Sequence, residues 1–338
     1  MLPLMPVSCL SPITLYPRLT NKSAEKFEVA PIALSLNEAF GYISLAFGNL
    51  RPLLDNFHVS QYLIQAITPG SSPLLQLPYF DAKLAKSVES EQTSGHLTVQ
   101  EFMKIPEEKR HALTVGAGLL SEQKYAAVIS VARQIPVLEI SKAFFKVVGE
   151  KVITPSSLVQ LVVKARFVPP GSTNVPEVSK ADLEDIDPDE DDIDAFMGRK
   201  SEGKTAGDGK TGKSNEALQP PLAYAPYLCR DYSPQWQFVL GDPLQGKMAV
   251  PPFHFNSFDK PIFDEAGNYT YNVQTLRMQF QGPPQVGDFG FTLYMLCDSY
   301  IGLDSQVDVI LSVEDQAKAV ALEEDDISEP DEGKFNGF

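Results

Sequence analysis

The sequence contains little of what catalysis or metal binding requires. Its 338 residues include only three cysteines, at positions 9, 229 and 297, and four histidines. The cysteines form no CxxC pair, so we expect neither a disulfide framework nor a structural zinc site. The histidines lack the spacing of metal ligands or of a catalytic triad, and no nucleophile has an assignable base. The sequence therefore predicts no enzymatic activity, no cofactor and no small-molecule substrate.

Positive charge and long apolar runs are also scarce. Lysine and arginine number 28 against 44 acidic residues, which gives a formal net charge of −16. A nucleic-acid partner is excluded on this basis, because phosphates are met by lysine and arginine. No window of the sequence approaches the roughly 20 apolar residues that are needed to span a bilayer, so we expect no membrane span in this chain. Hydrophobic residues nevertheless make up 43% of the sequence, which is enough for folded cores.

Most of the negative charge lies in two short segments. Residues 177–194 contain ten acids and one lysine (−9), and residues 323–334 contain seven acids and one lysine (−6), so together they hold −15 of the −16. Such blocks stay extended and often bind partners. We expect the C-terminal block to bind a basic partner and leave the internal block open between a binding and a solubilising role. The predicted binding residues are Glu323, Glu324, Asp325, Asp326, Glu329, Asp331 and Glu332.

The sequence predicts an α+β protein made of two parts. Residues 1–26 are expected to be a disordered leader, and residues 27–150 an orthogonal bundle of short helices separated by Pro and Gly. Within that bundle, Thr98 and Glu101 have the spacing of a capping box, and Ser121 can cap another helix.

From Ser157 the apolar period changes to two. Alternating segments near 159–167, 236–240, 276–280, 289–297 and 307–313 predict short antiparallel strands. We expect residues 151–314 to form a fibronectin type III-like β-sandwich, interrupted by a disordered acidic and Gly/Lys-rich insertion at 170–221. Residues 315–338 are the acidic C-terminal tail.

One nucleotide-binding motif has the wrong surroundings. Gly198, Gly203, Lys204 and Thr205 match the phosphate-loop pattern GxxxxGKT. That loop works between a strand and a helix N-terminus, whereas here an acidic run precedes it and no apolar helix follows. We interpret the match as coincidental.

The strongest motif is a short segment that follows the fourth of these predicted strands. Cys297-Asp298-Ser299-Tyr300-Ile301-Gly302-Leu303-Asp304, together with Ala225-Pro226-Tyr227 and the stretch Pro73–Tyr79 (PLLQLPY), resembles the Sec-sixty-three family. The resemblance covers roughly residues 30–315. Asp298, Ser299, Tyr300, Gly302 and Asp304 are family signature residues, and we expect them to have structural roles in a sandwich corner and its turn.

The resemblance implies a role in protein transport. Family members of one branch belong to the membrane complex that imports finished proteins into the endoplasmic reticulum, and the acidic segments here are similar to that branch in a fungal-like form. The resemblance further implies that the sandwich binds the Sec sixty-one channel and that the acidic tail binds Sec sixty-two. Both contacts would lie at the cytosolic face of the endoplasmic reticulum membrane. Ser328 lies in the acidic context that acidophilic kinases favour, so we predict a phosphorylation site that strengthens the tail contact.

The sequence departs from that branch in two respects. The family protein would carry membrane helices and a J domain that recruits a lumenal Hsp70, but no histidine here is followed by Pro-Asp. We therefore expect a cytosolic fragment or a misassigned start. The alternative is the branch in which the same unit follows the core of an RNA helicase and acts as its protein-interaction module.

Overall fold

The computed structural model describes residues 25–90, 95–185, 220–228, 230–315 and 317. Within them, α-helices occupy most of the first third and antiparallel sheets the remainder. The predicted α+β class is confirmed. The leader up to residue 24, the phosphate-loop motif and residues 323–334 of the tail lie outside the described residues.

The helical part consists of one long hairpin followed by shorter helices. The hairpin is formed by α1 (Glu25–Phe47) and α2 (Leu50–Gln65), and a 3-10 helix follows at Pro73–Gln76. The shorter helices are α3 (Ala82–Val88), α4 (Val99–Lys104), α5 (Glu107–His111), which continues into a π-helical turn at Ala112–Gly116, and α6 (Glu122–Gln134).

Local capping explains where the short helices begin. The side chain of Thr98 accepts a hydrogen bond from the Glu101 N–H, and the Glu101 carboxylate accepts one from the Thr98 N–H. This is the reciprocal arrangement that satisfies two unpaired donors at a helix start, and it confirms the predicted capping box. Ser121 caps α6 as predicted, through the Lys124 N–H.

The strands form two antiparallel sheets. The strands are β1 (Leu138–Lys146), β2 (Leu158–Phe167), β3 (Trp236–Asp242), β4 (Lys247–Met248), β5 (Phe253–Phe255), β6 (Gln274–Gln281), β7 (Gly287–Cys297) and β8 (Ser305–Val313). One sheet has the order β1-β2-β6, and the other has the order β4-β3-β7-β8, with β5 also paired to β3. A four-residue helix, α7 (Lys180–Leu183), follows β2.

The core joins the helices to the sandwich. The largest cluster of buried residues contains Leu74 and Phe102 from the helical part together with Leu161, Trp236 and Leu293 from both sheets. On the opposite face of the second sheet, α2 packs against β3 and β7. There the buried cluster is formed by Leu50, Leu53, Leu54, Val239 and Leu296. The second sheet is thus covered on both faces, and α2 is the helix that fixes the helical part to it.

The sheet begins earlier in the chain than the sequence predicts. Residues Leu138–Lys146 lie in the stretch expected to be helical, but they form β1 and pair with β2 along its length. Ala143 and Phe145 alternate towards the core, so the period of two was present but short. The division of the chain into domains at residue 150 remains a prediction.

The expectation that no segment could span a bilayer is wrong. One helix is long enough and apolar enough to do so, judged by length and composition alone. Within the described residues, one helical window, Val29–Phe47, has a mean hydropathy of 1.3 over 19 residues. Pro31 and Gly41 interrupt the apolar pattern in the sequence, but the helix continues through both. Only 17% of this window is buried, so α1 is apolar and largely exposed.

Candidate functional site

The signature segment, residues 297–304, lies at the junction of the helices and the sandwich. It leaves the end of β7 and turns into β8, and most of its side chains are buried. Asp298 is 7% exposed, Ser299 0% and Tyr300 2%. A polar sequence so deeply buried requires a hydrogen-bond partner for each polar group, and the partners come from both parts of the protein.

Asp298 holds the chain that leads into β3. One carboxylate oxygen accepts from the Gln235 N–H at 3.0 Å, and the other accepts from the Tyr232 hydroxyl at 2.7 Å. Burial raises the pKa of Asp298 to about 6, although the bonds from Gln235 and Tyr232 favour its charged form. Burial also raises the pKa of Tyr232, and the charge of Asp298 adds to that effect.

Tyr300 fixes a second incoming segment. Its hydroxyl oxygen accepts a hydrogen bond from the Tyr224 N–H at 2.8 Å, just before the Ala225-Pro226-Tyr227 motif. Burial raises the pKa of this phenol above its usual value, so it remains neutral at physiological pH. Asp298 and Tyr300 thus both have partners within the fold, and their structural role remains a prediction.

Three buried glutamines bind the backbone of the signature segment from the helical side. Gln61 and Gln65, one turn apart on α2, donate to the carbonyls of Cys297 and Ser299 at 2.8 and 2.6 Å. Gln76 of the 3-10 helix donates to the Ile301 carbonyl at 3.0 Å and accepts from the Ile301 N–H at 3.2 Å. Alternate residues of the segment are therefore each held by one glutamine.

The end of the segment makes the turn into β8. Gly302 has a φ of 81°, a conformation that glycine adopts without steric cost, and an added Cβ would lie 3.0 Å from Thr98. Asp304 accepts from Gln61 at 2.8 Å and lies 3.2 Å from the His58 imidazole. All five signature residues thus lie in one joint between α2, the 3-10 helix and the second sheet.

The three glutamines were not among the residues predicted from the sequence. Gln76 was inside a motif that carries the family resemblance, but no role could be read for it from the sequence. Gln61 and Gln65 have a recognisable signal, because two amides at i and i+4 on an otherwise apolar helix face require buried polar partners. The sequence alone does not say which backbone groups they bind.

A cationic cluster lies on the outer face of the first sheet. Lys146 of β1, Lys164 of β2 and Arg277 of β6 surround the carboxylate of Asp185, with N–O distances of 2.7, 3.3 and 2.7 Å. Asp185 is only 3% exposed. Burial alone would raise its pKa, but the bonds from Lys146 and Arg277 outweigh burial and hold the pKa of Asp185 below its usual value.

This cluster changes the expectation for the acidic insertion. The sequence predicts a structureless connection from residue 170, whereas residues 170–185 are described and run along the first sheet to Asp185. A segment with four acids between residues 177 and 185 is held there because the cations of the sheet neutralise the last of them. Asp187 to Asp194 lie outside the described residues.

The described residues do not assemble a reactive centre of the kinds considered above. Among them, no group of three His, Cys, Asp or Glu side chains is placed to hold a metal ion. Cys297 is fully buried, and burial raises the pKa of its thiol to about 12, so it is not a nucleophile at neutral pH. Chemically, the joint at 297–304 holds two structural parts in one fixed orientation.

Similarity to known proteins was found over most of the chain. No model of a protein family matches it. The chain is 27% identical over 276 residues to the Translocation protein sec63 of Schizosaccharomyces pombe, which covers 81% of this chain and 40% of that protein. It is 24% identical over 336 residues to the Protein translocation protein SEC63 of Saccharomyces cerevisiae, covering 89% of this chain and 46% of that protein.

A second group of relatives consists of RNA helicases. The chain is 22% identical over 305 residues to the DExH-box ATP-dependent RNA helicase DExH13 of Arabidopsis thaliana, covering 90% of this chain but 11% of the helicase. The similarity to both groups covers most of this chain but less than half of each relative. The predicted resemblance to the Sec-sixty-three family is confirmed, and the chain spans less than half the length of the curated relatives it matches.

The raised pKa of Asp298 predicts a pH dependence of stability. Its value of about 6 exceeds the ordinary carboxyl value of about 3.9. The folded protein thus binds more protons than the unfolded chain between pH 4 and 6, and the free energy of unfolding should fall by up to about 1.4 kcal/mol per pH unit as pH rises through this window. We expect Asp298→Asn to flatten this slope in urea unfolding measured at pH 4, 5 and 6. If the slope is unchanged in the variant, other groups cause the pH dependence of stability.

Proposed function

We propose that the chain is a non-enzymatic docking module of the machinery that transports finished proteins across the endoplasmic reticulum membrane. The observation that carries this proposal is the match to the sec63 translocation protein of Schizosaccharomyces pombe over 81% of the chain. The joint supports it, because three glutamines and Asp304 fix the helices rigidly to the sandwich. A rigid platform is what a docking protein needs to transmit binding at one surface to another.

We assign two partners to two regions of the chain. The sandwich binds the Sec sixty-one channel, and the acidic tail binds Sec sixty-two. Exposed apolar side chains on the sandwich support the first assignment, since Leu158, Val286 and Ile310 are 61%, 57% and 69% exposed. The second assignment rests on the charge of the tail, with seven acids between residues 323 and 332. Both partners place the chain at the cytosolic face of the endoplasmic reticulum membrane.

The tail assignment predicts a strong effect of deletion. Removing residues 322–338 should reduce binding to a basic segment of Sec sixty-two at least about tenfold, because each exposed ion pair contributes about 0.2–1 kcal/mol and several are lost together. Binding of the full chain should weaken with salt, since screening acts over about 8 Å at physiological ionic strength. Isothermal titration calorimetry at low and high salt measures both effects.

Two variants make this test specific. Replacing the seven tail acids by Asn and Gln retains the length of the tail but removes its charge, and should match the deletion. Ser328→Glu adds a negative charge and should tighten binding slightly. Undiminished binding by the deletion variant would exclude the tail as the binding segment, whereas loss on deletion but not on neutralisation would exclude the electrostatic mechanism.

The channel assignment requires its own experiment. Purified chain should bind detergent-solubilised Sec sixty-one complex in a pull-down, and the triple variant Leu158→Gln, Val286→Gln, Ile310→Gln should bind more weakly. Wild-type chain that fails to bind the channel in the presence and absence of Sec sixty-two would contradict the docking role.

The alternative function is that of a protein-interaction module within an RNA helicase. This alternative is favoured by the similarity to a helicase from Arabidopsis thaliana, which covers 90% of this chain. The genomic sequence before Met1 distinguishes the two functions. A helicase core in the same reading frame supports the alternative, and a J domain with membrane helices supports the translocation role.

A further inference from the structure

Helix α1 presents a continuous apolar surface to solvent. Ile32, Leu36, Phe40, Ile43 and Phe47 are 67%, 59%, 44%, 53% and 68% exposed. Their spacing of four, four, three and four residues places them on one side of the helix. We call these five residues the α1 apolar face.

The side of α1 that faces the protein is polar by comparison. Asn37 donates to the Asn56 carbonyl and to the Ser60 hydroxyl, both at 2.8 Å, and Asn56 donates to the Asn37 carbonyl at 2.6 Å. At Gly41 the helices approach so closely that an added Cβ would lie 2.9 Å from the Asn56 side chain. Amides and a glycine thus form the central contact between α1 and α2, and Leu45 near the end of α1 packs against the buried leucines of α2.

This arrangement is the reverse of a helix at the surface of a water-soluble protein. Such a helix turns its large apolar residues towards the core and its polar residues towards water. Small and polar residues between helices, with large apolar residues outside, are the pattern of helices packed in lipid. Between Val29 and Phe47 the only charged residue is Glu38, and its carboxylate accepts from the Tyr42 hydroxyl at 3.1 Å.

The fold limits how lipid can reach α1. Helix α2 lies between α1 and the second sheet, because its other side packs on Val239 and Leu296. Lipid cannot surround α1 while it is packed in this way, so α1 does not span a bilayer in this structure. Only its outward side is available, which suits a helix lying in the plane of the membrane surface.

A second copy of the chain fits the α1 apolar face less well. Two single helix faces of this size bury less than the roughly 1,200 Å² found at stable protein interfaces. Binding to a bilayer requires no minimum buried area of this kind, because each apolar side chain that enters the bilayer leaves water independently. Between Val29 and Phe47 there is no lysine or arginine that could bind anionic lipid headgroups, which leaves an uncharged bilayer surface as the favoured environment.

We propose that the α1 apolar face binds the surface of a zwitterionic lipid bilayer, with its five side chains inserted at the boundary between headgroups and acyl chains. The contact orients the sandwich relative to the membrane through α2. It requires neither the channel nor Sec sixty-two, so it stands independently of the proposed function.

Flotation with vesicles of pure phosphatidylcholine tests the proposal on the full chain. The wild-type protein should float with the vesicles, and 1 M NaCl should not release it, because the contact is apolar. The variant Leu36→Gln, Ile43→Gln, Phe47→Gln should lose at least about tenfold in vesicle binding. The matched control Val148→Gln, Leu222→Gln, Phe253→Gln removes three exposed apolar side chains elsewhere and should bind like wild type.

Fluorescence quenching gives a second measurement that does not rely on loss of binding. In Phe47→Trp, phosphatidylcholine with brominated acyl chains should quench the new tryptophan, whereas Trp236, which is 2% exposed, should be unaffected in wild type. Absence of flotation by the folded wild-type protein would overturn the proposal. A dimer in lipid-free solution that the α1 triple variant abolishes would assign the face to a second copy instead.

Discussion

Asp185→Asn should destabilise the protein by about 3–5 kcal/mol, which is the usual cost of removing one partner from a buried ion cluster. The carboxylate of Asp185 neutralises Lys146, Lys164 and Arg277, and the Lys164 side chain is only 6% exposed. Asparagine is of similar size but carries no charge, so Lys164 would remain buried beside two other cations. Urea unfolding followed by the fluorescence of Trp236, the only tryptophan, measures the loss.

The neighbouring acid Asp182 provides the matched control. Its pair with Lys260 is longer, at 3.5 Å, and both side chains are more than 40% exposed. Asp182→Asn removes the same charge from the same segment and should cost less than about 1 kcal/mol. Equal effects of the two substitutions would show that the net charge of the segment matters and the cationic cluster does not.

The pH dependence gives an independent check on Asp185. Because its pKa in the folded state lies below the ordinary carboxyl value, its contribution to stability is complete above about pH 4 and is lost as the pH falls further. The stability of Asp185→Asn should therefore be less sensitive to acid below pH 4 than that of wild type. Asp298 acts in the opposite direction between pH 4 and 6, so these two carboxyls together predict greatest stability near pH 4.

Local signals predicted much of the fold. The capping box at Thr98 and Glu101 and the cap at Ser121 are formed as expected, because capping depends on residues only three positions apart. The strands β3, β6, β7 and β8 are present where the apolar period is two, since that period places alternate residues on one face of a sheet.

Features that depend on distant contacts were not predictable from the sequence. The strand β1 pairs with β2 across a connection of eleven residues, and its sequence alone does not distinguish it from an apolar helix. Gln61 and Cys297 are 236 positions apart, and Asp185 meets Arg277 from 92 positions away. No local sequence pattern predicts such pairs, although each contact requires a particular type of residue at both of its positions.

The joint combines the two kinds of information. Its signature residues were recognisable in the sequence through their resemblance to the Sec-sixty-three family, and the structure shows Gly302 at a positive φ in the turn into β8. Their partners on the helices became visible only in the structure. The joint is also where loss of a single side chain should separate the two parts of the protein most effectively.

Gln76→Leu should accordingly destabilise the protein by about 2–6 kcal/mol. The Gln76 side chain satisfies both the N–H and the carbonyl of Ile301, and each buried backbone group left without a partner costs about 1–3 kcal/mol. Leucine has a similar volume and creates no cavity, so the loss would report the two hydrogen bonds. Gln123→Leu, at an exposed position of α6, should change stability by less than about 0.5 kcal/mol. If Gln76→Leu costs no more than this control in urea unfolding, the glutamines merely fill space and the helices are attached to the sandwich by apolar packing alone.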